Sequence, residues 1–175
     1  MTGNPYTARF RILWPLGLVL FGIVIWMGLP LDIEGVPGGI LAHQAAGSGH
    51  AIDLIQRAWS EAGLYERARY AMYGDILFIT VYGLGSWYGG LHYMQDAAPK
   101  IRRMGGLLVA AAAVFMLTDY TETFSQIIQL TQQRGSDTLA SIAATVRPVK
   151  VAAWLVTFFG VIATFVVRRI SARTA

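Results

Sequence analysis

The chain has 175 residues, of which 55% are hydrophobic and 14% are charged, and its formal net charge is +4. A soluble domain usually carries about 25% charged residues, so this composition indicates a single-domain integral membrane protein. The basic residues form short clusters beside apolar segments instead of one stripe, which argues against nucleic-acid binding. The sequence has no cysteine, which excludes disulfides, thiol catalysis and cysteine-ligated metal or iron–sulfur centres.

Apolar segments predict an all-α protein, a bundle of four membrane-spanning helices at about residues 11–30, 72–94, 104–124 and 148–168. About 20 residues at 1.5 Å per residue cross the hydrocarbon core of a bilayer. The first segment is longer than the apolar part of a typical signal peptide, and no small-residue cleavage motif follows it directly. We therefore expect it to stay as a membrane anchor.

The third apolar segment is interrupted by Asp119 after about 15 residues, which is too short to span a bilayer without tilt. We therefore expect its helix to continue to about Gln133. Gly135 would follow in the left-handed conformation that ends many helices. Ser136 or Asp137 would then cap the next helix.

The two longer connections predict helical extensions outside the membrane. Residues 31–71 begin with a stretch rich in glycine and proline, which predicts an irregular loop up to about residue 50. Apolar residues then recur at three- and four-residue steps over 51–69, which predicts an outward-facing amphipathic helix with a break at Gly63. Residues 125–147 predict a helical hairpin, and Pro148 should kink the last helix or start it afresh.

The amphipathic helix has an apolar face that includes Ile52, Ile55 and Trp59. We expect this face to point towards the bundle or the membrane interface. Glycines at 83, 85, 89 and 90 in the second span, together with the alanines at 110–113 in the third, should permit close contact between helices.

The distribution of cations predicts the orientation of the chain. Lys100, Arg102 and Arg103 lie in the short linker 95–103, and Arg168 and Arg169 follow the last span. Because cytoplasmic loops are enriched in lysine and arginine, we expect this linker and both termini in the cytoplasm. The predicted location is the inner membrane, in contact with membrane lipids.

Ionisable residues inside the predicted spans lie at similar depths. At 1.5 Å per residue, Asp75, Asp119, Glu122 and Lys150 are all about 24 to 28 Å from the cytoplasmic ends of their helices. Asp119 and Glu122 are three residues apart, as are Arg147 and Lys150, so each pair shares a helical face. Mutual pairing would reduce the cost of burying these charges.

The candidate site is this charged layer with the aromatic residues near it, which could extend its hydrogen bonding. Its members are Asp75, Asp119, Glu122, Arg147, Lys150, Tyr73, Tyr82, Tyr120 and Trp154. In the alternative interpretation these side chains are solvated at the membrane interface and the aromatic residues form a belt.

The histidines give a weaker indication of a site. His43 and His50 lie in a glycine-rich stretch and His92 lies at the far end of the second span, so none forms the i, i+3 or i, i+4 pair typical of helical metal and haem sites. The segment from His92 to Met94 could ligate copper or haem, but an interfacial histidine is the simpler interpretation. We predict no cofactor and no metal.

Three functions are compatible with this sequence. The leading hypothesis is a non-enzymatic accessory or ligand- or lipid-binding subunit, either of a larger membrane assembly or of a homo-oligomer. The second is a small membrane enzyme acting on a lipid or isoprenoid substrate, with its carboxylates as acid–base groups. The third is a proton-coupled transporter or channel.

Overall fold

The computed structural model describes residues 4–174, and its regular secondary structure is helical apart from an isolated β-bridge between Ile33 and Val36. A short 3-10 turn, Leu29–Leu31, follows the first helix. The six α-helices are α1 (Thr7–Gly28), α2 (Gly39–Ala45), α3 (Gly49–Glu61), α4 (Tyr65–Met94), α5 (Pro99–Gln132) and α6 (Asp137–Thr174). The prediction of an all-helical protein is confirmed.

Within the described residues, three helical segments are long and apolar enough to cross a membrane: Thr7–Leu31, Pro99–Gln132 and Asp137–Ser171. The helix predicted as the second span, α4, is not among them, although its 30 residues are enough in length. Its second half is rich in glycine, tyrosine and tryptophan and contains His92, and these residues are less apolar than the aliphatic residues of the other three helices.

The glycine-rich stretch before residue 50 is more ordered than predicted, because it contains α2. Gly38, with a φ of 87°, precedes this helix and donates its N–H to the Asp32 carboxylate at 3.0 Å. Leu31 and Val36 on the same stretch are buried in a hydrophobic core. The prediction of a wholly irregular loop was wrong because residues 40–45 include good helix formers, and tertiary contacts stabilise a helix that is too short to form alone.

The turn between α5 and α6 lies where it was predicted, but a different residue adopts the left-handed conformation. Gln133, not Gly135, adopts the left-handed conformation, with a φ of 52°. Gly135 is required because the backbone of Gly49 packs directly against it, and a Cβ atom at position 135 would overlap the Gly49 carbonyl oxygen. Ser136 caps α6 as predicted, because its hydroxyl accepts the N–H of Leu139 at 3.4 Å. Of the two outcomes predicted at Pro148, a kink or a new start, the new start does not occur, because α6 is continuous through that residue.

The chain divides into two compact units, which we describe separately. The unit formed by Val19–Ile79 and Leu117–Pro148 has a hydrophobic core around Trp59, whose indole N–H donates to the Leu31 carbonyl at 3.0 Å. Ile52 and Trp59 are fully buried, which confirms the predicted inward orientation of this face. Gly63 separates α3 from α4 with a φ of 71°, also as predicted.

In the other unit, made of residues 4–18, 80–116 and 149–174, helices approach one another closely at glycines. A Cβ atom on Gly85 would lie 2.6 Å from the backbone nitrogen of Trp14, and one on Gly17 would lie 2.5 Å from the Cα of Tyr82. A Cβ atom on Gly105 would meet the Gly90 carbonyl at 2.7 Å. The predicted close packing at the glycines of the second span is confirmed.

These contacts predict a difference between two glycines of α1. Gly17→Ala places a methyl group against the backbone of α4 and should lower the free energy of unfolding by about 1 to 3 kcal/mol. Gly22→Ala should be neutral or slightly stabilising, because nothing lies within 4 Å of its Cβ position. Thermal or denaturant unfolding in detergent measures both. Equal effects of the two substitutions would contradict the packing of α1 against α4.

Candidate functional site

One face of α5 carries a buried row of polar side chains, which we call the polar stripe: Asp119, Glu122, Thr123, Gln126 and Gln129. Each of them is at most 2% exposed. Their spacing of three and four residues places them on one side of the helix. The other sides carry exposed apolar residues such as Leu117, which is 70% exposed. This arrangement, polar inside and apolar outside, suits a helix whose surroundings are lipid.

Asp75 of α4 joins this stripe within the same unit. The Thr123 hydroxyl donates to the Asp75 carboxylate at 2.9 Å, and both side chains are buried. Asp75, Asp119 and Glu122 are therefore three buried carboxylic acids in one compact unit.

The stripe continues through amides to a buried histidine on α2. The amide nitrogen of Gln126 lies 3.5 Å from the Glu122 carboxylate, and the Gln126 side chain is also close enough to His43 to influence its pKa. His43 is 1% exposed and its ring lies 5.2 Å from that of Trp59. Burial lowers the pKa of His43 to about 4, and the nearby Gln126 side chain opposes this shift. The imidazole is therefore neutral at neutral pH.

From His43 the polar contacts lead to an open groove. The Nε2 atom of His43 lies 3.5 Å from the amide nitrogen of Gln56. The Tyr65 hydroxyl lies 3.4 Å from the amide oxygen of Gln56. Tyr65 also donates to the Leu130 carbonyl. Gln56 and Tyr65 line a groove of about 860 Å³, whose other lining residues are Asp53, Arg57, Ser60, Glu66, Gln132, Gln133 and Arg134. Buried polar side chains thus lie between this groove and Glu122, without a hydrogen bond between Gln126 and His43.

Three other predicted site residues of this unit have different surroundings. Tyr73 is 43% exposed and hydrogen bonds to Arg69. Tyr120 stacks on Phe124 with ring centroids 5.8 Å apart. Arg147 is partly exposed, and within residues 4–174 it has no ion pair.

The remaining predicted site residues, Tyr82, Lys150 and Trp154, belong to the other unit. The buried Tyr82 hydroxyl shares a hydrogen bond of 2.9 Å with the Thr157 hydroxyl. Trp154 stacks on Phe158 with centroids 5.4 Å apart. Pairing of Lys150 with the acids stays a prediction.

The candidate site predicted from the sequence did not include Thr123, Gln126, Gln56 or His43, although His43 was noted among the histidines. Two of them continue the spacing of Asp119 and Glu122 along α5, so extending that pattern to uncharged side chains would have found them. His43 and Gln56 could be found only from the tertiary structure, because α2 and α3 place them beside α5.

The described part of the chain is therefore all-helical. It has three helices that are long and apolar enough to cross a membrane, and it contains the buried polar stripe. It contains no group of three or more histidine, aspartate or glutamate side chains placed to hold a metal ion. Comparisons of the chain with protein-family models, characterised proteins and solved structures gave no match.

Proposed function

We propose that this chain is a small multi-pass protein of the inner membrane that acts as a non-enzymatic ligand-binding subunit. In this proposal α4 crosses the membrane together with the three more apolar helices, which gives four spans. The linker 95–103 and both termini are cytoplasmic. The basic residues of that linker and of the end of α6 support this orientation. The chain would serve alone, as a homo-oligomer, or as the accessory subunit of a larger membrane assembly.

The observation that carries the proposal is the burial of three carboxylic acids in one unit, on helices whose outer faces are apolar. Arg147, the cation predicted to pair with them from the same unit, has no ion pair among the described residues. A buried acid must either hold a proton or meet a cation.

The ligand that fits best is a molecule carrying a protonated amine, in the class of a zwitterionic lipid headgroup. Asp119 and Glu122 present two carboxylates on one helical face, and the amide of Gln126 lies next to Glu122. An ammonium group offers three hydrogen-bond donors and one positive charge, which match these acceptors. Because membrane lipids surround the outer faces of these helices, such a headgroup is available at high local concentration.

The test compares the retention of two lipids by the purified full-length protein in detergent, measured by native mass spectrometry. We expect phosphatidylethanolamine to be retained in preference to phosphatidylglycerol, which has no amine. Glu122→Gln should reduce this retention at least about tenfold, because it removes a buried counter-charge. Glu34→Gln, which neutralises an exposed acid, is the matched control and should retain the lipid.

Two results would overturn the proposal: equal retention of both lipids, or unchanged retention by Glu122→Gln. Asp119→Asn provides a second variant if Glu122→Gln does not fold, and thermal unfolding identifies that case.

A proton-conducting role is a second candidate, and the buried polar side chains that lie between the groove and Glu122 favour it. Buried acids and histidines within membrane helices are typical of proton pathways. Proton uptake by proteoliposomes containing the protein, lost in Glu122→Gln and kept in Glu34→Gln, would favour this function over lipid binding.

A further inference from the structure

The groove described above has a charge pattern different from that of the polar stripe. Its lining contains two arginines, Arg57 and Arg134, and two acids, Asp53 and Glu66. The two acids are already occupied: Asp53 accepts the backbone N–H of Gly135 at 2.5 Å, and Glu66 pairs with Arg69 at 2.9 Å. Within residues 4–174, neither Arg57 nor Arg134 has an ion pair. Two guanidinium groups that form no ion pair in the described part of the chain therefore line the groove, together with the two carboxylates.

The local backbone brings these two groups to the same groove. Arg57 projects from α3, whereas Arg134 follows α5 directly after Gln133. Gln133 has a φ of 52°, a conformation that costs energy for a residue other than glycine. The N–H of Arg134 then donates to the Gln129 carbonyl at 3.2 Å, which fixes the turn. Because of this turn, the chain after α5 lies along the groove.

The floor and rim of the groove add neutral hydrogen-bonding groups. Gln56 forms part of the floor and is 4% exposed, and its amide is held between His43 and Tyr65. Ser60, Gln132 and Gln133 contribute a hydroxyl and two amides at the rim. Guanidinium groups bind planar pairs of phosphate oxygens with two parallel N–H donors, and hydroxyl and amide donors can satisfy the remaining oxygens.

We infer that this groove is an anion site for a phosphate group, either on a lipid headgroup or as free phosphate. This site does not use Asp75, Asp119 or Glu122, and only its place outside the membrane rests on the orientation proposed above. In the predicted orientation, α3 and the α5–α6 turn lie on the outer side of the membrane, where lipid phosphates are found. The groove of about 860 Å³ is large enough for a headgroup.

The experiment measures the binding of inorganic phosphate to the full-length protein in detergent by calorimetry, and the retention of phosphatidic acid by native mass spectrometry. The variants are Arg57→Gln, Arg134→Gln and the double substitution. Arg102→Gln removes one exposed positive charge outside the groove and is the matched control. Glu66→Gln removes a negative charge from the rim.

We expect each single arginine variant to weaken binding about tenfold and the double variant to abolish it, with the control unchanged. Glu66→Gln should strengthen binding, an opposite effect that general destabilisation would not produce. Phosphate binding with this pattern identifies a free-phosphate site, and phosphatidic acid retention with this pattern and no phosphate binding identifies a lipid site. Absence of binding by both probes, or equal binding by the double variant and the control, would overturn the inference.

Discussion

Replacing Trp59 by alanine should lower the free energy of unfolding by about 3 to 5 kcal/mol, the usual cost of removing a large aromatic side chain from a core. Trp59 is fully buried and packs among Leu31, Val36, Met72 and Leu130. Its indole N–H satisfies the Leu31 carbonyl at 3.0 Å. The substitution therefore creates a cavity and also leaves a buried carbonyl without its donor.

Two further variants separate these contributions. Trp59→Phe keeps most of the apolar volume but removes the N–H donor, so we expect a smaller loss of about 1 to 3 kcal/mol. Leu54→Ala on the same helix is the control, because Leu54 is 51% exposed. Denaturant unfolding in detergent, followed by circular dichroism, measures all three. Loss of less than about 1 kcal/mol in Trp59→Ala would show that this core does not stabilise the unit.

The loss should also extend beyond α3. The core around Trp59 includes residues of the 3-10 turn, α4 and α5, so the tryptophan holds the glycine-rich stretch against these helices. This stretch contains α2 and therefore His43. We expect hydrogen exchange of residues 39–45 to accelerate in Trp59→Ala more than exchange at the centre of α6.

The features predicted correctly from sequence are those set by local chemistry. The length of α5 beyond Asp119 followed from the need to cross a bilayer, the break at Gly63 from its backbone freedom, and the cap of α6 from the Ser136 hydroxyl. Each of these depends on a few neighbouring residues. A single sequence contains that information.

The features that were missed depend on contacts between distant parts of the chain. Gly135 was interpreted as a residue with positive φ, but its role is to admit the backbone of Gly49, which is far away in sequence. Likewise, α2 is held by burial of Leu31 and Val36. Spacing and composition do not encode such partners.

The candidate site shows the same division. The sequence indicated Asp75, Asp119 and Glu122 because charges are conspicuous in apolar helices, and all three are buried. It did not indicate the uncharged residues that accompany them, since glutamine and threonine on a membrane helix have many structural roles. The aromatic members were chosen by proximity in sequence, which does not fix the direction of a side chain, and Tyr73 is exposed.

Acid should destabilise the protein through His43. Burial lowers the pKa of this histidine from 6.5 to about 4 in the folded chain. Between these two values the unfolded chain binds more protons than the folded one, so the free energy of unfolding rises with pH. The contribution is fully present above pH 6.5 and is lost as the pH falls towards 4. A shift of this size corresponds to a loss on the order of 3 kcal/mol.

The surroundings of His43 explain why protonation is costly there. Its neighbours are the Trp59 ring and the amides of Gln56 and Gln126, and none of them is an anion that could pair with an imidazolium. The Glu122 carboxylate accepts from the Gln126 amide at 3.5 Å, and no hydrogen bond joins it to His43. Protonated His43 would therefore have to leave its buried position or expose it to water.

Because other groups also titrate in acid, the measurement is a difference in slope. We expect unfolding free energies of the wild type to fall more steeply between pH 6.5 and 4.5 than those of His43→Gln, which keeps a neutral hydrogen-bonding side chain. His50→Gln, at an exposed position, should keep the wild-type slope. The comparison is independent of how much His43→Gln destabilises the protein at neutral pH. Parallel curves for the wild type and His43→Gln would show that the buried imidazole does not resist protonation, and would remove His43 from the row of neutral polar groups between the groove and Glu122.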